Sequence, residues 1–67
     1  MKLSATEALL RYTSGKEIKC STGMVHYIKN GRSHCYMLGG DEYTCPELTA
    51  TDIVQYDWFE WDDKSYE

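Results

Sequence analysis

The sequence predicts an α+β fold, a small antiparallel sheet with an N-terminal helix and a short helix before the last strand. Three observations carry that prediction. Ser4 and Glu7 stand at capping-box spacing ahead of an apolar stripe with helical period. Asn30-Gly31 sits where a tight hairpin turn is needed, and Leu48-Thr49 with Asp52-Ile53 marks a second helix start just ahead of an aromatic strand. No internal repeat, low-complexity run or linker interrupts this order, so residues 1–67 read as one domain.

The first helix begins at Ser4, whose side chain and that of Glu7 satisfy backbone N–H groups at opposite ends of the first turn. Ala5, Ala8, Leu9 and Tyr12 follow at i, i+3, i+4 and i+7 and define an apolar face with Leu10 at its border. Glu7 and Arg11 are spaced as an i, i+4 ion pair on the exposed side. Gly15 supplies the left-handed residue that ends the helix. Residues 17–21 then alternate, with Ile18 and Cys20 on one side and Glu17, Lys19 and Ser21 on the other.

A two-residue turn at Asn30-Gly31 requires positive φ at both positions and sets the register of the strands around it. Lys29 faces Arg32, Ile28 faces Ser33, Tyr27 faces His34, His26 faces Cys35, Val25 faces Tyr36 and Met24 faces Met37. The hairpin therefore has two unlike sides. Met24, Ile28, Cys35 and Met37 read as core beneath the helix; Val25, Tyr27, Lys29, Arg32, His34 and Tyr36 form an aromatic and cationic side. Gly39-Gly40-Asp41 breaks the sheet, residues 43–45 allow a brief further strand, and Pro46 ends it. Leu48 and Ile53 then staple a helix capped at Thr49, with Asp52 near its positive end. Residues 56–61 read as the final strand, Trp58 and Glu60 on one side and Phe59 and Trp61 on the other. The acidic tail over 62–67 is expected to fray.

A chain of 67 residues buries a marginal core, so self-association as a homo-oligomer is expected. Three cysteines, Cys20, Cys35 and Cys45, lack Cys-x-x-Cys spacing and fit reduced thiols in a cytosol. The N-terminus carries charge too early for a signal peptide, and no apolar run reaches membrane length, which points to a soluble intracellular protein with no membrane partner. The net charge of −4 hides a division: residues 1–40 hold six basic and two acidic side chains, residues 41–67 one basic and nine acidic. Such asymmetry suits an anion-binding half beside an acidic partner surface, or two halves that neutralise each other in the fold. Overall acidity disfavours double-stranded nucleic acid.

Catalytic and metal signals are weak. Cys20, His26, His34, Cys35 and Cys45 offer zinc donors, but only His34-Cys35 is close in sequence and adjacent strand residues point to opposite sides, so no metal and no other cofactor is expected. His26 opposite Cys35 has the residue types of a thiolate-imidazole pair without a third orienting group. Asp62-Asp63 are consecutive residues in a tail and poorly held as an acid/base pair. Gly39-Gly40 lacks the lysine and helix of a phosphate loop. No enzyme activity is expected. The side carrying Tyr27, Lys29, Arg32, His34 and Tyr36 combines groups that bind phosphate with rings that stack on a base; the plainer reading is a solvated sheet face with cross-strand packing.

Two bracketing segments add to this. Glu7-Ala8-Leu9-Leu10 running to Gly15-Lys16-Glu17-Ile18-Lys19, and Leu48-Thr49-Ala50-Thr51-Asp52-Ile53 running to Asp57-Trp58, resemble the Thoeris anti-defence 2-like family of small phage proteins. The resemblance spans nearly the whole chain and departs from the family pattern at residues 20–24, where relatives usually carry a tryptophan. It implies a phage-type anti-defence protein of the host cytoplasm that sequesters a small cyclic nucleotide immune signal, of cyclic ADP-ribose or cyclic dinucleotide type, without catalysis. It also implies a pocket between protomers. Lys19, Asp57 and Trp58 align with family motif positions and join Tyr27, Lys29, Arg32, His34 and Tyr36 as expected ligand-binding residues. The alternative is a phage inhibitor that docks on a host defence or nucleic-acid enzyme through Trp58, Phe59, Trp61 and Asp62, since tryptophans are typical interface anchors.

Overall fold

Residues 2–61 are described by a computed structural model, and their elements run β1 (Lys2–Leu3), α1 (Ala5–Thr13), β2 (Ile18–Cys20), β3 (Met24–Lys29), β4 (Arg32–Met37), β5 (Tyr43–Thr44), α2 (Ala50–Gln55) and β6 (Trp58–Glu60). The fold is α+β, a six-stranded sheet in the order β1-β6-β2-β3-β4-β5 with every neighbouring pair antiparallel. The tail at 62–67, Asp62 included, lies outside the described residues.

Local chemistry explains the helix ends. Glu7 N donates to Ser4 Oγ at 3.1 Å and Ser4 N to Glu7 Oε1 at 2.9 Å, the reciprocal capping box. At the other end Gly15 adopts φ +84°, Gly15 N reaches Tyr12 O and Lys16 N reaches Arg11 O, a Schellman closure that only a left-handed residue permits without strain. A second capping box joins Thr49 and Asp52 in α2, with Ile53 buried and Leu48 packed against the core as the staple requires. The hairpin register is the one the turn predicts at all six pairs, with Asn30 at φ 54° and Gly31 at φ 75°.

Both helices lie on one side of the sheet. Ala8 and Tyr12 of α1 and Ile53 of α2 close over Leu3, Ile18, Cys20 and Trp58, with Met24, Ile28 and Leu48 at the margin. A hydrogen-bonded chain ties this layer together: Leu48 N donates to Tyr12 Oη at 3.1 Å, and Tyr12 Oη lies 2.6 Å from the buried Ser33 Oγ.

Several expectations need correction. The strand β1 is unforeseen; it pairs with β6, Leu3 opposite Trp58, and forms one edge of the sheet. The last strand is shorter than residues 56–61, because Tyr56 serves as the C-cap of α2. The apolar stripe of α1 is narrower than its period suggests: Ala5, Leu9 and Leu10 are exposed, since a nine-residue helix resting on a twisted sheet makes one line of contact. Met37, expected in the core, is exposed at the end of β4. Arg11 does not pair with Glu7, which is occupied by the cap. It turns the other way, and its Nη2 donates to Glu17 O at 3.2 Å and Trp61 O at 3.4 Å.

Candidate functional site: the open face of the sheet

The side of the sheet away from the helices is built from alternate residues of four strands. Lys19, Val25, Tyr36 and Phe59 form one cross-strand row, with Tyr27 and His34 in the next and Lys29 opposite Arg32 at the turn. Among the described residues no helix covers this side, yet Val25 is 0% exposed and Tyr27 only 8%. Neighbouring rings cover Tyr27. Tyr27 stacks on His34 with ring centroids 5.4 Å apart and meets Tyr36 edge-on at 6.3 Å. Trp61 Nε1 donates to Tyr36 Oη at 3.2 Å, and Lys19 Nζ stands 5.1 Å from the centre of the Trp61 ring.

Two carboxylates organise the tyrosines. Tyr36 Oη donates to Glu17 Oε2 at 3.3 Å, and Glu42 Oε1 lies 3.4 Å from His34 Nδ1. Burial, and then a hydrogen bond to Glu42, push the Tyr27 phenol far above its ordinary range, so it remains a neutral donor. The cations at the turn differ. Lys29 and Arg32 are exposed and make no ion pair among the described residues, which leaves both guanidinium and ammonium available to an anion.

The sequence-predicted ligand residues divide on this geometry. Lys19, Tyr27, Lys29, Arg32, His34 and Tyr36 share the open face. Asp57 and Trp58 do not. Asp57 Oδ1 pairs with Lys2 Nζ at 3.1 Å, both groups exposed, a contact worth little by itself. Trp58 is 2% exposed on the opposite side, where Nε1 donates to Asp52 O at 3.4 Å and the ring meets His26 and Tyr56 edge-on. Of the residues expected to dock on a host protein, Trp58 is thus in the core, while Phe59 and Trp61 are half-buried on the open face. Glu17 and Glu42 are the site residues that the sequence did not single out. Glu17 was assignable to this side by alternation with Ile18; Glu42 comes from a loop with no periodic signal.

A second cluster lies on the helix side. Sequence spacing gives no metal site, yet the fold brings Cys45 beside the cross-strand pair His26 and Cys35, with one donor atom of each within 4.8 Å of the others. His26 faces Cys35 across β3 and β4, and Cys45 returns beside them because Cys45 N donates to Ser33 O at 3.1 Å. Burial lowers His26, partly offset by the nearby Asp52 carboxylate, and raises the Cys35 thiol, which also hydrogen-bonds Cys45.

Compared with protein-family models, curated proteins and solved structures, the chain gives no match. No helix of the described residues is long and apolar enough to cross a membrane.

Proposed function

We propose that the chain binds a small cyclic nucleotide without turning it over, acting as a phage-type anti-defence protein in the host cytoplasm. The observation that supports the reading is the open face itself, an aromatic surface with Lys29 and Arg32 exposed at its rim and in no ion pair among the described residues. Alternate residues along β4 are about 7 Å apart. A phosphate held at Arg32 and Lys29 therefore brings a base over the His34 and Tyr27 pair, with Tyr36, Lys19 and Trp61 beyond it for a second ring or phosphate. Binding is by charge-assisted hydrogen bonds and stacking, which need no nucleophile or general base. Self-association would complete a pocket over a face that is open in one chain; the exposed Leu9 and Leu10 on α1 and Val54 on α2, 76% exposed, are apolar groups available for it.

The test is to mix the protein with cyclic ADP-ribose isomers and cyclic dinucleotides, remove free ligand, denature by heat and assay what is released. One nucleotide class should be recovered, and Arg32→Ala should weaken its binding by about 1.5–3 kcal/mol, the range for a hydrogen bond to a charged group. Release of nothing by folded wild-type protein overturns the proposal. Capture of a host protein that is lost on substitution of Trp61 or Asp62 would instead establish the inhibitor reading.

A further inference from the structure

We infer that His26, Cys35 and Cys45 form a binding site for one thiophilic divalent ion of the zinc class, with three protein donors and a fourth position left to water. This rests on the helix side of the sheet and is independent of nucleotide binding on the open face.

The geometry fits such an ion with small adjustments. Tetrahedral zinc with bonds of about 2.3 Å to sulfur and 2.0–2.1 Å to nitrogen places its donors about 3.5–3.8 Å apart. Here His26 Nδ1 and Cys45 Sγ are 4.0 Å apart, and all three donors lie within 4.8 Å of one another. Each donor pair must shorten by about 1.3 Å at most to reach these separations, a movement on the scale of side-chain torsions; Cys45, which follows β5 and is only partly buried, has room for it. Two thiolates and an imidazole are the donor set that tetrahedral zinc sites use.

Outer contacts hold the donors in place. Cys45 Sγ lies 3.6 Å from Ser33 Oγ, which is itself 2.6 Å from Tyr12 Oη, so the thiol nearest the solvent is tied to the hydrogen-bonded chain through the core. A disulfide is the competing use of two such thiols, and the register argues against it. Cys35 pairs with Tyr43, and Cys45 lies two residues on, opposite Ser33. That diagonal relation separates backbone positions by about 7–8 Å, longer than a disulfide spans without backbone movement. An ion between the sulfurs spans it. Coordination displaces both thiol protons to solvent, so the ion binds as two positive charges against two thiolates and the site stays neutral.

Cobalt(II) is the probe, because thiolate-to-cobalt charge transfer and the ligand-field bands of a tetrahedral ion report both donor type and geometry. Titration of the reduced full-length protein should saturate at one equivalent with both signatures, and zinc should displace cobalt and abolish them. Cys45→Ser should weaken cobalt binding more than about 100-fold, beyond the effect of losing an outer contact alone. His26→Gln should do the same while leaving thiolate charge transfer at high cobalt. Cys20→Ser, on the same side of the sheet but outside the cluster, should change nothing, and circular dichroism of the apo variants checks that each is folded. Absence of charge transfer in folded, reduced wild type would overturn the assignment. So would undiminished binding by Cys45→Ser, or a mass loss of two hydrogens showing that air-purified protein holds Cys35 and Cys45 as a disulfide.

Discussion

On the helix side of the sheet, Ile18, Cys20 and Trp58 are buried because α1 and α2 lie over them; on the open side, where no helix of the described residues lies, Val25 and Tyr27 are buried as well, Tyr27 against the His34 and Tyr36 rings. The first is ordinary apolar burial, non-directional and proportional to area. The second relies on placed polar contacts: stacked and edge-on rings, a cation over an indole, and carboxylates that receive tyrosine hydroxyls. A chain with few residues for a second layer thus shields both faces of a sheet while keeping one of them chemically addressable. The difference predicts that the helix side carries the stability and the open side the binding.

The sharpest break of that comparison uses two consecutive residues of β6. Trp58→Ala removes a ring from the core and should cost about 3–5 kcal/mol. Phe59→Ala removes a half-buried ring on the open face and should cost about 1–1.5 kcal/mol. Urea unfolding of both variants measures the ratio; equal losses would make the open face a second core.

Next in size is the hydroxyl that joins α1 to β4 and to the loop before α2. Tyr12→Phe leaves Leu48 N–H and the buried Ser33 hydroxyl without their shared partner, and should cost about 1–3 kcal/mol with little change in shape. Pairing it with Ser33→Ala should give less than the sum of the two single losses, because one network is being cut twice.

The smallest effect is the pH dependence of the caps. Hydrogen bonds from the cap residues hold the Glu7 and Asp52 carboxyls below their ordinary values of 4.5 and 3.8. Their folded pKa values are lowered, so the stability they contribute is present above those ordinary values and is lost as pH falls through the lower folded ones. Thermal midpoints measured from about pH 5 to pH 3 should decline less steeply in Glu7→Gln, whose amide still accepts in a capping box. An unchanged slope in a protein carrying both Glu7→Gln and Asp52→Asn would assign the acid sensitivity to other groups.

Much of the fold was legible because its signals are local. Ser4 with Glu7, Thr49 with Asp52, and Gly15 each act within one turn of helix, and Asn30-Gly31 determines six strand pairs through one two-residue loop. The same register placed Tyr27, Lys29, Arg32, His34 and Tyr36 on one side. What escaped was the fate of groups whose partners are distant. Arg11 stands at the right spacing for Glu7 but finds the carbonyl of Trp61, fifty positions away. Trp58 and Asp57 sit beside each other in sequence and part company at the sheet, one into the core and one to Lys2.

The sequence by itself therefore determined the helix caps, the hairpin and its two chemically different sides, since each depends on dihedral preferences and contacts over a few residues. Only the tertiary structure decided that β1 closes against β6, that Val25 is buried on the side no described helix covers, and that His26, Cys35 and Cys45 converge. Those outcomes depend on which strands become neighbours and how a loop such as 38–42 returns. Burial of the shared core settles that choice for the whole chain at once, and no local spacing encodes it.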